Sequence, residues 1–243
     1  MRRPAMLLLF APSRRWCSFF PLAMLPPLKR AKPYVYSSVQ INALLSAALD
    51  LPPANGLRRW TYHYLFGLIA VTGIRLSEVI GLQRSDVDLD VGVLTVRQSK
   101  FGKSRLVPLH PTTCVALRSY VARRDAHLRS HGGGGTHFFV AEMGGRLPHQ
   151  YVHRVFWRLS REIGLRRADE HTGPRIHDFR HSFAIQTLLG WYQDGLEVEQ
   201  RFPLLSTYLG HTCVRDTYWY LSAYPQLMEE AAWRLERHWE ATS

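Results

Sequence analysis

HDFRHSFA at His177–Ala184, LGH at Leu209–His211 and TYWYLSAY at Thr217–Tyr224 decide how this chain is read. From His171 onward, hydrogen-bond donors are mixed with the Leu and Phe of a core. His177 and Arg180 stand three apart, so a helix projects both from one face, a turn apart. His211 closes the Leu-rich PLLSTYLG, in which Pro203 suits a first helical position and Gly210 the cap beyond the last. Tyr220 follows nine residues after His211. Two nitrogen donors, a second imidazole and a phenol, joined by Arg75 from upstream, suit a tetrahedral anion. That anion reads as a phosphate.

Outward from that stretch, TGIRLSEVIGL places Gly73 at the end of an apolar helix, with Arg75, Ser77 and Glu78 directly after it. An Arg75–Glu78 ion pair alone would explain those charges as purely structural. The helix itself spans about Arg58–Thr72 and is apolar nearly all round, which makes it central. Before it, Ser37 or Ser38 caps a helix to Leu49 whose stripe is Ile41, Leu44, Leu45 and Leu49. After it, β-rich runs Val93–Gln98 and Arg105–Leu109 flank SKFGKS, a hairpin with Gly102 in its turn and Lys100 and Lys103 riding on it. Pro111 opens a helix carrying Cys114, Leu117, Val121 and Leu128, and Phe138–Val140 is expected to add a third strand. Val152, Val155, Phe156, Leu159 and Ile163 form a helical stripe stopped by Gly164. Pro225 opens a last helix with Met228, Ala232, Leu235 and Trp239 at helical spacing, able to pack on this chain or on a neighbour. The sum is a mainly α fold, eight or nine helices around one small antiparallel sheet, without βαβ alternation.

The bulk properties narrow the function. A chain of 243 residues with 46% hydrophobic side chains is globular and large enough for one good core. Lys and Arg outnumber Asp and Glu by 31 to 19, giving a net charge of +12 and a pI near 10.1. An excess of that size, spread in pairs such as Arg58–Arg59 and Arg123–Arg124, favours a broad polyanion-binding surface. Cys17, Cys114 and Cys213 form no CxxC, zinc or disulfide pattern, which points to a reducing cytoplasm, and buried free thiols are expected. Residues 1–33 open with a short apolar run that Pro12 and Arg14–Arg15 interrupt, and PPLKRAKPY reads as an extended linker. No later run approaches the length of a membrane span. The expected division is therefore 1–33 as a poorly defined N-terminal segment and linker and 34–243 as one domain.

Several chemistries fail on residue patterns. His177 and His181 are spaced as helix ligands, but no third ligand or HExxH base accompanies them, so metal is not expected. The GxSxG of a serine hydrolase is missing. A tyrosine nucleophile fits phosphoryl chemistry: the ester it forms conserves the energy of the broken diester, so a hydroxyl can reseal the strand without ATP. Such a site needs donors for the non-bridging oxygens and a proton for the leaving hydroxyl.

TGIRLSEVIGL, the lysine in SKFGKSRLVPL, HDFRHSFA, LGH and a tyrosine nine residues on, in that order, resemble the tyrosine recombinase (phage integrase) family from about Tyr34 to Leu235. The resemblance implies the DNA breaking–rejoining fold and a site-specific recombinase or integrase acting on double-stranded DNA as a synaptic homo-multimer, a tetramer. It implies that Tyr220 forms a 3′-phosphotyrosyl link, that Arg75 and Arg180 hold the non-bridging oxygens, and that Lys100 protonates the leaving 5′-oxygen. His177 would take the tyrosine proton or bind the phosphate, His211 would add a donor, and Glu78 would support Arg75. Lys103 and Arg105 would contact phosphates nearby. No metal, nucleotide or other cofactor is implied, and no membrane. Tyr218 and Tyr224 compete with Tyr220 as nucleophile, and Lys103 with Lys100 as acid. The family usually carries a helical DNA-clamping domain ahead of this one, and residues 1–33 are expected to be either its remnant or a misplaced start, which leaves open a DNA-binding remnant that no longer recombines. A type IB topoisomerase, relaxing DNA without a specific site, is a third reading.

Overall fold

The structure, a computed structural model, describes residues 33–97, 104–167 and 173–242. Helix α1 (Ser38–Leu49) starts where Ser37 Oγ accepts from the Gln40 amide at 3.2 Å and Gln40 Oε1 accepts from the Ser37 amide at 3.0 Å. Helix α2 (Arg58–Thr72) has no cap of its own; the Glu142 carboxylate, far along the chain, accepts from the Leu57 and Arg58 amides at 3.1 and 2.8 Å. Seven α2 residues, from Thr61 to Thr72, are buried, as an all-round apolar helix requires. Gly73 ends it at φ 63°, and a Cβ there would lie 2.7 Å from the Phe183 ring, so both conformation and space demand glycine.

The short helix α3 (Leu76–Gly81) leads to a 3-10 turn and the sheet: β1 (Val87–Asp88), β2 (Val93–Val96) and β3 (Arg105–Pro108), antiparallel in the order β1-β2-β3. Leu94 pairs with Val87 on one side and Val107 on the other. All three are buried. The third strand is thus Val87–Asp88 and not Phe138–Val140. Phe138, Phe139 and Val140 are all fully buried, without the in–out alternation of a sheet edge, and that segment makes only single bridges, Gln83 to His137 and Val140 to Arg146. Lys100, Lys103 and the turn between β2 and β3 lie outside the described residues.

Helices α4 (Pro111–Ser130) and α5 (His149–Glu162) follow, with Val152, Val155, Phe156 and Leu159 of α5 buried as expected. Then come α6 (Ile176–Gln193), α7 (Val198–Leu209), α8 (Arg215–Ala223) and α9 (Pro225–Thr242). Asp178 caps α6 by accepting from the Arg175 amide at 2.8 Å. The entering chain is fixed to the same helix: the Tyr36 amide donates to Ser182 Oγ at 2.8 Å, and the Tyr36 ring stacks on Phe179 at 4.4 Å. One buried cluster joins α1–α6 and the sheet; a second joins the rest of α6 to α7, α8 and α9.

Three expectations change here. Pro203 does not open α7; it sits inside on the exposed side, five residues after Val198. An interior proline costs about 3 kcal/mol, and four buried side chains at helical spacing (Val198, Phe202, Leu205, Leu209) outweigh it at about 1.5–3 kcal/mol each. Cys213, expected buried, is exposed in the link between α7 and α8, while Cys114 is buried. In α9 the inward face carries Leu227 and Ala231, leaving Met228 54% and Trp233 67% exposed; the side chains of Leu235 and Trp239 lie outside the described residues. No described helix is long and apolar enough to cross a membrane.

Candidate active site

Three arginines from three elements meet the end of α7. Arg105 Nε, from β3, donates to the Tyr208 carbonyl at 2.8 Å. Arg180 Nη2, from α6, donates to the Leu209 carbonyl at 2.6 Å, and Arg75 Nη2, preceding α3, to the Gly210 carbonyl at 2.9 Å. These are the last carbonyls of a helix, which have no helical partner and form the negative end of its dipole. Gly210 makes the turn possible at φ 70°, and a Cβ there would lie 2.8 Å from Arg105 Nη1. Arg180 Nη1 also donates to the Gly73 carbonyl at 2.9 Å, which ties the end of α2 to the end of α7.

Among these guanidiniums stands one carboxylate. Glu78 Oε1 accepts from Arg75 Nη1 at 2.9 Å and from Arg105 Nη1 at 3.0 Å, Oε2 accepts from Arg105 Nη2 at 2.8 Å, and the same oxygen caps the Arg75 amide at 2.9 Å. Burial pushes the Glu78 carboxyl up, but the Arg105 bonds and charge, then those of Arg75, outweigh it and hold it below the usual range. Arg180 is 2% exposed, and burial and then the Arg75 charge lower its pKa to about 10, still cationic at neutral pH. Two of these three cations bond the Glu78 anion, and the third, Arg180, feels its charge.

Arg75, Arg180, Ser77 and His177 line a pocket of about 190 Å³ with His149 and His153 of α5. Withdrawal from water and then the Arg180 charge hold His177 below its ordinary range. His211 sits just past the α7 cap, its Nδ1 2.8 Å from Thr217 Oγ1; burial, then Arg180, bring its pKa down to about 4. Tyr220, on α8, is 1% exposed; its ring lies 6.3 Å from that of His211, and its hydroxyl is 3.1 Å from His181 Nδ1. Tyr218 faces elsewhere, 45% exposed and stacked on Phe202 at 4.4 Å.

Residues 37–226 match the model of the phage integrase family. The chain is a member of the phage integrase family. A Sinorhizobium fredii (strain NBRC 101917 / NGR234) protein named "Putative integrase/recombinase y4rB" is 51% identical to it over 87% of this chain and 68% of the relative. Tyrosine recombinase XerD of Mycobacterium tuberculosis (strain ATCC 25618 / H37Rv) is 30% identical over 80% of this chain and 58% of its own length. The XerH site-specific recombinase, solved bound to palindromic difH substrate, superposes at a TM-score of 0.60 and 23% identity, covering 84% of this chain and 54% of that one. The chain therefore spans little more than half to two thirds of the length of these relatives. The likeness gives the fold as the mainly helical tyrosine recombinase catalytic core with its small antiparallel sheet.

Within this phage integrase domain, the structure gathers Arg75, Glu78, Arg180, His211 and Tyr220, with His177 lining the pocket beside them. Arg105, expected to contact phosphate, faces inward instead: its side chain is 9% exposed and committed to Glu78 and the Tyr208 carbonyl. The reason is its place at the start of β3, against α7, where a buried carboxylate awaits it. Sequence reading missed this role, along with Thr217, fully buried beside His211, and His181 as the partner of Tyr220. His181 carried a usable signal, four residues after His177 on one helix face.

Proposed function

We propose that this phage integrase family member is a site-specific DNA recombinase that cuts and reseals strands through a 3′-phosphotyrosyl link on Tyr220. The observation that carries the reading is the charge imbalance: the guanidiniums of Arg75, Arg105 and Arg180 gather around the carboxylate of Glu78, which bonds the first two, beside a buried phenol. A phosphodiester entering the pocket would supply the missing anion. Arg75 and Arg180, already aimed by main-chain carbonyls, hold its non-bridging oxygens, and a fixed guanidinium needs little reorganisation as charge builds up. Glu78 holds Arg75, and Arg105 holds Glu78.

Thr217 donates to His211 Nδ1 in this scheme, which places the ring proton on Nε2 and makes it a donor to the phosphate. His177 takes the tyrosine proton or hydrogen-bonds the phosphate from the pocket. Lys100 protonates the departing 5′-oxygen, and Lys103 contacts a neighbouring phosphate. The ester conserves the diester energy, so the cycle calls for neither metal nor nucleotide. The partner is double-stranded DNA, which the +12 charge suits, and strands exchange in a synaptic tetramer in the cytoplasm. Residues 34–243 form the catalytic domain, with 1–33 as a preceding segment.

The test uses nicked duplexes drawn from the DNA flanking the gene itself, incubated with wild type and Tyr220→Phe. A denaturation-resistant protein–DNA adduct is expected with wild type and none with Tyr220→Phe. An adduct that survives Tyr220→Phe would move the nucleophile to another tyrosine, Tyr218 first. No adduct with wild type on any flanking site would overturn the recombinase reading.

A further inference from the structure

The hydroxyl that must lose its proton already has a hydrogen-bond partner, and that partner is not His177. His181 Nδ1 lies 3.1 Å from Tyr220 Oη, within the reach a general base needs. His177 and His181 are successive turns of α6, their rings 4.8 Å apart and nearly perpendicular at 88°. His177 lines the open pocket with Arg75 and Arg180, whereas His181 lies against α8, with the Trp219 and Tyr220 rings at 5.5 and 5.6 Å. The two imidazoles therefore face different atoms of the same reaction.

We propose that His181 is a catalytic residue that receives the Tyr220 proton during strand cleavage, leaving His177 to the phosphate; the inference rests on the recombinase reading above. As the Oη–P bond forms, the Oη–H bond breaks and the proton passes to Nδ1 of a neutral imidazole. The P–O5′ bond breaks, and the oxygen leaves with the proton assigned to Lys100. One proton is taken and one given, so no further reactant is needed. On rejoining, the 5′-hydroxyl attacks phosphorus, and the imidazolium returns its proton to the departing phenolate. His181 thus acts as base in one direction and acid in the other.

The surroundings favour the neutral, accepting ring before DNA arrives. Burial first, then His177, Arg175 and Arg180, bring the His181 pKa down to about 4, with Asp178 opposing them. From the elements packed against it, Tyr220 and His211 are the titratable groups that face it. A phosphate in the pocket adds negative charge near this ring, which raises its basicity at the moment a proton must be accepted.

The experiment measures single-turnover adduct formation by the full chain, as wild type, His181→Ala, His181→Asn and Tyr220→Phe. The nicked duplexes carry either oxygen or sulfur at the bridging 5′ position. A sulfur leaving group departs without a proton, so it restores a protein that lacks its acid but not one that lacks its base. Both His181 variants are expected to slow adduct formation about 10²-fold or more, equally on both substrates, with DNA affinity unchanged. Asn keeps an acceptor for the hydroxyl but is no base; wild-type rates in His181→Asn would reduce His181 to a hydrogen-bonding support and overturn the proposal. So would recovery by the sulfur substrate, or a wild-type rate in His181→Ala. Should His181→Ala fail to fold, as read by thermal melting, His181→Asn decides alone. Those results leave the recombinase reading standing as long as wild type forms an adduct that Tyr220→Phe does not; a wild type without adduct fails both.

Discussion

Glu78 sets the position of two guanidiniums with two oxygens, and its side chain is 5% exposed. Removing Arg105 leaves that carboxylate with Arg75 alone and half its bonds unmade. Arg105→Met is therefore expected to cost about 3 kcal/mol, the usual result of breaking a buried pair from one side, read from urea denaturation midpoints. Combining it with Glu78→Gln should cost clearly less than the sum of the two single changes; strict additivity would show that the pair is not coupled. At this scale the sequence was partly legible. Arg75 and Glu78 are three apart beside a helix break, and that spacing announces a capping carboxylate and its ion pair. Arg105 carried no such local mark. Its side is decided by which strand of the hairpin meets α7, a long-range fact.

Helix α7 shows the same division at the level of an element. Its end was readable because Gly210 has a local conformational role; its start was not, because the buried stripe from Val198 to Leu209 overrides the proline whose chemistry suits an opening position. The β1 strand was missed for a related reason. Two residues, Val87 and Asp88, give no alternation to detect, whereas the apolar Phe138–Val140 run imitates a strand. Gly210→Ala tests the cap directly. The left-handed backbone costs a non-glycine residue about 1–3 kcal/mol, and the added Cβ also meets Arg105 at 2.8 Å. The melting temperature should fall, and adduct formation with it. Gly190→Ala is the control: Gly190 lies inside α6, and a methyl group added there would meet nothing within 4 Å, so that change should be neutral or stabilising by up to about 1 kcal/mol.

For the molecule as a whole, the site makes stability depend on acidity. His181 and His211 have pKa values near 4 when folded, against 6.5 for the ordinary side chain, and His177 is shifted the same way. Between those values the unfolded chain binds protons that the native state refuses, so acid favours unfolding. Glu78 adds to this lower down: its carboxyl is held below 4.5, so the stability it contributes is lost as pH falls further. The melting temperature of the DNA-free protein is expected to drop steadily from pH 7 toward pH 4. The slope above pH 4.5 should shrink in His181→Asn, and an unchanged slope would remove His181 from the cause. At this scale the fold class was the most readable feature, since helical stripes are sums over many residues. The pairing of particular imidazoles with particular atoms was not, because it is set by how α6 meets α8.

The grip on the end of α7 has an evolutionary corollary. Arg105, Arg180 and Arg75 hold the carbonyls of Tyr208, Leu209 and Gly210, and a carbonyl is the same whatever side chain its residue bears. The contacts therefore tolerate drift at positions 208 and 209 to any residue that still packs. They do not tolerate a change in chain length there: inserting one residue advances a helix by about 1.5 Å and turns it by about 100°, which would hand every arginine the wrong oxygen. Natural variants of this segment should accumulate substitutions while keeping its residue count from Phe202 to His211 fixed.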